Sequence, residues 1–120
     1  MGNKLQFDLK KKQSEVILKE GEVEKKYYLR EFTGEQKGQF LTQLGERAVI
    51  TDGKIIGFKS FEGFQTILVS LCFYDEQDIL VPEAFVKNLP ATVLDGLFEE
   101  AKKLNGLDIE SGKKEEAKKD

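Results

Sequence analysis

The chain has 120 residues, 39% hydrophobic and 34% charged, enough for one domain with a real core. That balance excludes both a disordered polymer and a membrane-embedded protein, leaving a soluble globular domain as the expectation. The 19 basic and 22 acidic residues are unevenly spread: residues 1–26 hold seven lysines against five acids, residues 27–108 eight basic groups against thirteen acidic, and residues 109–120 four of each.

An acidic body repels phosphate, and nucleic-acid affinity comes chiefly from Lys and Arg displacing counterions, so nucleic acid is a disfavoured partner. No apolar run exceeds four residues, whereas a bilayer span needs about twenty. The start "MGNKLQFDLK" lacks the apolar stretch of a secretory signal, and Gln6 stands where an acylation motif wants Ser or Thr. A cytosolic protein without membrane association is expected. Cys72 is the single cysteine, which excludes an internal disulfide.

Leu5, Phe7 and Leu9 alternate with polar neighbours, as do Val16 and Leu18, then Tyr27 and Leu29. Period two predicts three short half-buried strands before residue 33. Lys10 to Lys12 reads as a solvated turn between the first two, and Gly21 separates the second from the third. In "TGEQKGQFLTQLGER", Thr33 and Gln36 form a capping box, and Phe40, Leu41, Leu44 and Ala48 follow on one helical face. "AVITDGKIIGF" sets Asp52-Gly53 between β-branched residues, a signal for a tight turn or small hairpin.

"FEGFQTILVSLCFYDE", Phe61 to Glu76, is the most apolar part of the chain, with nine of the fourteen positions from Phe61 to Tyr74 apolar or aromatic. On a helical wheel Phe61, Phe64, Leu68, Leu71 and Cys72 form one stripe with Ile67 and Tyr74 at its edge, while Val69 and Phe73 fall opposite. A strand reading survives, because Ile67, Val69, Leu71 and Phe73 also alternate. Length favours the helix. A helix apolar on two faces is either sandwiched in its own domain or covered by another chain, so Phe61, Phe64, Val69, Phe73 and Tyr74 are candidates for partner binding or self-association. On the second alternative, Phe73→Ser lowers binding more than folding.

Beyond it, Asp75 to Asp78 reads as a solvated helix end, since the calcium-loop glycine and glutamate are missing. "PEAFVKNLP" offers a short helical turn. Pro90 then starts the clearest helix, with Val93, Leu94, Leu97, Phe98, Ala101 and Leu104 on its apolar face and Asn105-Gly106 as its left-handed stop.

The inventory for catalysis is poor. There is no histidine, the commonest general base and metal ligand. Cys72 lies among apolar neighbours that raise a thiol pKa and leave it inert, and a zinc site needs several Cys or His ligands. "GEQKG" lacks the spacing and ending of a phosphate loop. No enzyme activity, cofactor or metal is expected. "EKKYYLREF" interleaves Lys25, Lys26 and Arg30 with Tyr27, Tyr28 and Phe32, which keeps a small single-strand nucleic-acid binder as an alternative.

The succession "YYLREFTGEQ", "FKSFEGFQTILVSLCFYDE" and "LPATVLDGLFEEAKKLNGLD" resembles the tail assembly chaperones of long-tailed, siphovirus-type bacteriophages and prophages, across residues 27–108. The resemblance implies a non-enzymatic protein of the host cytoplasm that binds the tape measure protein, helps recruit tail tube protein, self-associates, and is absent from the mature virion. It also implies a longer frameshifted form, with which the pairs Lys113-Lys114 and Lys118-Lys119 are compatible. A structural tail component is a further alternative. The expected architecture is α+β, a small N-terminal antiparallel sheet of about three strands followed by three to four helices in a single domain over residues 1–108, with a charged, flexible tail over 109–120.

Overall fold

Gln13–Glu20 and Val23–Arg30 pair antiparallel as β1 and β2 around a two-residue turn at Gly21-Glu22. The computed structural model in which they lie describes residues 2–59 and 63–107. A third strand, β5 (Phe73–Asp75), joins β2 antiparallel, setting Leu29 opposite Phe73 and Tyr28 opposite Tyr74, so the order is β1-β2-β5. Side chains alternate across a pleated strand. Val16, Leu18, Tyr27, Leu29 and Phe73 therefore share the core face, and Glu15, Ile17, Lys26, Tyr28, Arg30 and Tyr74 the outer one.

Sequence expectations for two segments, the N-terminal arm with its lysine run and the apolar stretch with its acidic end, are corrected here. Leu5 to Leu9 is not a strand: residues 2–9 run without regular structure, and Leu5, Phe7 and Leu9 are 79%, 81% and 94% exposed. Alternation alone cannot make a strand, because its backbone N–H and C=O groups need a partner edge. Lys10 to Lys12 is accordingly not a turn between strands. It leads into β1, and Lys12 is tied to Glu31 by Glu31 N–H donating to the Lys12 carbonyl at 3.0 Å and Lys12 N–H donating to Glu31 Oε1 at 3.0 Å.

The second correction concerns the apolar stretch. Its helix, α2, spans only Phe64–Ser70; after a turn at Leu71-Cys72 the chain extends as β5. Helix and strand readings each hold for one half. Asp75 to Asp78 is then a turn rather than a helix end, in which Asp75 Oδ1 accepts from the Gln77 and Ile79 N–H groups at 2.8 and 3.1 Å.

Helix α1 spans Gly34–Arg47, and its capping box is complete: Gln36 N–H donates to Thr33 Oγ1 at 3.1 Å and Thr33 N–H to Gln36 Oε1 at 2.9 Å. Phe40 and Leu44 point into the core, while Leu41 lies outside the buried stripe. The chain leaves α1 directly into a hairpin, β3 (Ala48–Thr51) and β4 (Lys54–Phe58). Asp52 and Gly53 both take positive φ, 54° and 77°, as a type I′ turn requires.

Helix α3 covers Glu83–Lys87 and α4 Ala91–Asn105, with Pro90 as the N-cap of α4 and Gly106 as its left-handed C-cap at φ 64°. Asn105 does more than end the helix. Its Oδ1 accepts from Phe32 N–H at 2.8 Å and its Nδ2 donates to the Ala101 carbonyl at 3.0 Å, tying α4 to the link between β2 and α1.

The arrangement is α+β. One buried cluster holds it together, with Leu29 and Phe73 from the sheet meeting Phe40, Leu68, Val86 and Phe98 from the four helices. The expected charged tail from residue 109 lies outside the described residues.

Candidate interaction surface

Of the five candidate interaction residues, Phe61 lies outside the described residues and three of the other four are sealed in the core. Val69 and Phe73 are both 0% exposed. Helix α2 is apolar on two faces because it is sandwiched, packing on α4, α3 and α1 at once. Phe64 sits at the centre of an aromatic group, its ring centroid 6.0 Å from Phe40, 5.3 Å from Phe58 and 5.7 Å from Phe98. Such offset and edge-on rings contribute about 1 kcal/mol per pair beyond burial. Of the two alternatives left open for a two-faced helix, its own domain covers it.

Tyr74 lies apart from these, half-buried on the outer sheet face. The Arg30 guanidinium stands 4.8 Å from its ring centroid and 5.3 Å from that of Tyr28, and Gln36 Nε2 donates to the Tyr74 hydroxyl at 3.1 Å. Lys26 also projects here, so Lys26, Tyr28 and Arg30 of "EKKYYLREF" share a face, whereas Tyr27 and Phe32 pack against the core. Their charges are already answered. Arg30 pairs with Asp78 at 2.6 Å, Lys26 with Glu15 at 3.5 Å, and Lys19 with Glu24 at 3.8 Å. A face with this many carboxylates offers phosphate little.

Apolar surface lies elsewhere. The β3–β4 hairpin exposes Val49, Ile50, Ile55 and Ile56, with Ile56 at 64%, and Ile50 stands directly across from Ile55. Only its base is anchored, through buried Ala48, partly buried Phe58, and Lys59 N–H donating to the Arg47 carbonyl at 2.7 Å. Among the described residues both strand edges are free of pairing, the arrangement that invites a further strand or chain. Sequence reasoning took "AVITDGKIIGF" as a tight turn or small hairpin and not as an interaction surface. The missed signal was the absence of a polar face: isoleucines and valine flank the turn on both sides with few charges among them.

A second apolar feature is a groove of about 630 Å³ between the turn end of β1–β2 and helices α3 and α4, lined by Leu18, Val23, Tyr27, Phe85, Leu89 and Val93 among others. The arm of residues 2–9 is the third.

Chemistry of bond-making is thin at all three. Burial pushes the Cys72 thiol up to about 12, and its Sγ lies 3.4 Å from the Leu68 carbonyl, facing no cavity chemistry. Among the described residues no group of three or more His, Cys, Asp or Glu side chains could hold a metal ion, and no helix is long and apolar enough to cross a membrane.

No protein-family model, curated protein or solved structure matches the chain.

Proposed function

We propose that the protein is a tail assembly chaperone of the long-tailed bacteriophage type, binding the apolar surface of a tape measure protein until tail tube protein assembles around it. The observation that carries the reading is the β3–β4 hairpin, which holds Val49, Ile50, Ile55 and Ile56 together in water on one small ordered element. A monomer gains nothing from that exposure. Apolar side chains of this size each gain about 1.5–3 kcal/mol when buried, so the hairpin is a standing source of binding energy for an oily client. The charged remainder keeps chaperone and client dispersed.

The client surface therefore moves, in this reading, from Val69 and Phe73 to the hairpin. Tail tube protein, a longer frameshifted form and further copies of the chain complete the set of partners, and the chaperone itself acts in the host cytoplasm and is left out of the finished virion. The test is co-expression with the tape measure protein of the same genome. The client should shift into the soluble fraction with the chaperone present, and an unchanged distribution rejects the proposal. Mass spectrometry of purified particles separates a chaperone, which leaves, from a structural tail component, which stays.

A single-strand nucleic-acid binder has one observation in its favour, the sharing of one sheet face by Lys26, Tyr28, Arg30 and Tyr74. The ion pairs on that face weigh against it. A gel shift that weakens steeply with salt would support it instead.

A further inference from the structure

We infer that two copies of the chain join through their β1 edges, antiparallel about a two-fold axis that passes between Ile17 of one copy and Ile17 of the other. The inference deepens the self-association in the proposed function and relies on that reading only for the expectation that copies associate; no client takes part.

One edge of the three-stranded sheet is closed and the other is open. At the closed edge β5 is only three residues long, and its outward backbone groups are taken: Asp75 N–H donates to the Ile79 carbonyl and Val81 N–H to the Phe73 carbonyl, both at 2.9 Å. At the other edge β1 runs eight residues in unbroken register with β2, without the proline or bulge that guards many edges. No residue of β1 is buried, and among the described residues nothing pairs with its outer side.

The direction of the β1 backbone follows from its hydrogen bonds. The Lys12 carbonyl accepts from Glu31 N–H, while Arg30 N–H turns away to the Cys72 carbonyl. Backbone groups alternate along a strand, so Ser14, Val16, Leu18 and Glu20 bond β2, and Gln13, Glu15, Ile17 and Lys19 point outward. A two-fold between antiparallel strands sets one residue opposite itself, which keeps side chains on each face in step. Centred on Glu15 or Lys19, like charges meet at the axis. Centred on Val16, Ile17 meets Glu15 and Leu18 meets Ser14; centred on Leu18, Ile17 meets Lys19 and Val16 meets Glu20.

Centred on Ile17, every pair is matched. On the outer face Ile17 meets its own copy and Glu15 meets Lys19, and on the core face Val16 meets Leu18. Glu15-Val16-Ile17-Leu18-Lys19 is thus its own antiparallel complement, apolar in the middle and opposite in charge at its ends. The outward residues form the hydrogen-bonded pairs, each exchanging both N–H···O bonds. Charges on the neighbouring strand extend the match. Glu15 lies 3.5 Å from Lys26 and Lys19 3.8 Å from Glu24, so signs alternate from Lys26 through Glu15 to Lys19 and Glu24 of the second copy. Ile17, 45% exposed on a polar face, gains cover. Gln13 falls opposite Gly21, so the arm of residues 2–9 leaves past the hairpin turn of the other copy. With both β1 edges consumed and both β5 edges closed, the contact stops at two copies.

Sedimentation equilibrium of the full chain, without any client, tests this. At about 0.5 mM, where an interface with a dissociation constant of roughly tens of micromolar is mostly occupied, the wild type should sediment chiefly as a dimer. Glu15→Lys sets lysine against lysine at both ends of the contact, and Lys19→Glu sets glutamate against glutamate. Each should weaken dimerisation at least about tenfold. Mixed in equal amounts, the two variants should pair with each other and restore dimer to near the wild-type level, because opposite charges again meet at both ends. The mixture fixes the register, since only a centre at Ile17 brings positions 15 and 19 together. A monomeric wild type, single variants that dimerise as the wild type does, or a mixture that stays monomeric each overturns the inference. None of these results bears on binding of a tape measure protein.

Discussion

The Phe73 ring stacks on the Tyr27 ring with centroids 5.1 Å and planes 18° apart, the first from β5 and the second from β2. Through this contact the end of the apolar stretch is stitched to the sheet, diagonally from Phe73 to the residue two along β2 from its partner Leu29. Phe73→Ser should therefore cost at least about 3 kcal/mol of folding stability, a large part of a small domain's total, and leave an expanded or aggregating monomer. Chemical denaturation checks it. A well-folded variant with only a binding defect would restore the surface role that a helix apolar on two faces first suggests.

Ile50→Lys and Ile55→Lys should behave in the opposite way. Both side chains stand in water on the hairpin, so each substitution should change stability by less than about 1 kcal/mol. Capture of a tape measure protein in a pull-down should nonetheless fall sharply with either one. Wild-type capture by the double variant would move the client surface off the hairpin.

Asn105 ties the last turn of α4 to the backbone of Phe32. Asn105→Ala leaves that N–H without its partner and should destabilise the protein by about 1–3 kcal/mol. Asn105→Asp keeps the accepting oxygen but loses the donor to Ala101 and sets negative charge at the helix C-terminus, so it should recover only part of the loss. Thermal unfolding checks it, and an unchanged midpoint in Asn105→Ala would mean the Phe32 contact contributes nothing.

Cys72 supplies a pH dependence of known sign. Its folded pKa is about 12 against an ordinary 9.0, because burial disfavours the thiolate. The folded state thus holds its proton where the unfolded state releases it. This contribution is fully present below pH 9 and falls by about 1.4 kcal/mol per pH unit above it, up to the folded value. A Cys72→Ala variant should show a flatter stability curve above pH 9, although the small cavity lowers its baseline. In the native wild type a disulfide exchange reagent should react only as fast as the protein opens, and rapid labelling at pH 8 would contradict the burial.

Local chemistry was readable wherever the determinant lay within a few residues. The Thr33–Gln36 capping box, the Asp52-Gly53 turn and the Asn105-Gly106 stop all appear where their spacing put them. What the sequence hid were partnerships between distant segments. Phe73 reads as the end of a helix on length alone until Leu29 is known to lie beside it, and Leu5 to Leu9 reads as strand although no described strand edge takes it. Phe64, Val69 and Phe73 are buried rather than offered to a partner for the same reason. Burial of Val69 and Phe73 depends on α3 and α4 closing over α2, which no local pattern in the stretch encodes.

Hydrogen exchange on the protein with and without a bound tape measure fragment is the most direct measurement of the central claim. Slowed exchange of the β3–β4 amides, residues 48–58, on addition of the client is the predicted result. Unchanged exchange there, with protection appearing on the outer sheet face around Tyr28 and Tyr74 or nowhere at all, would contradict it.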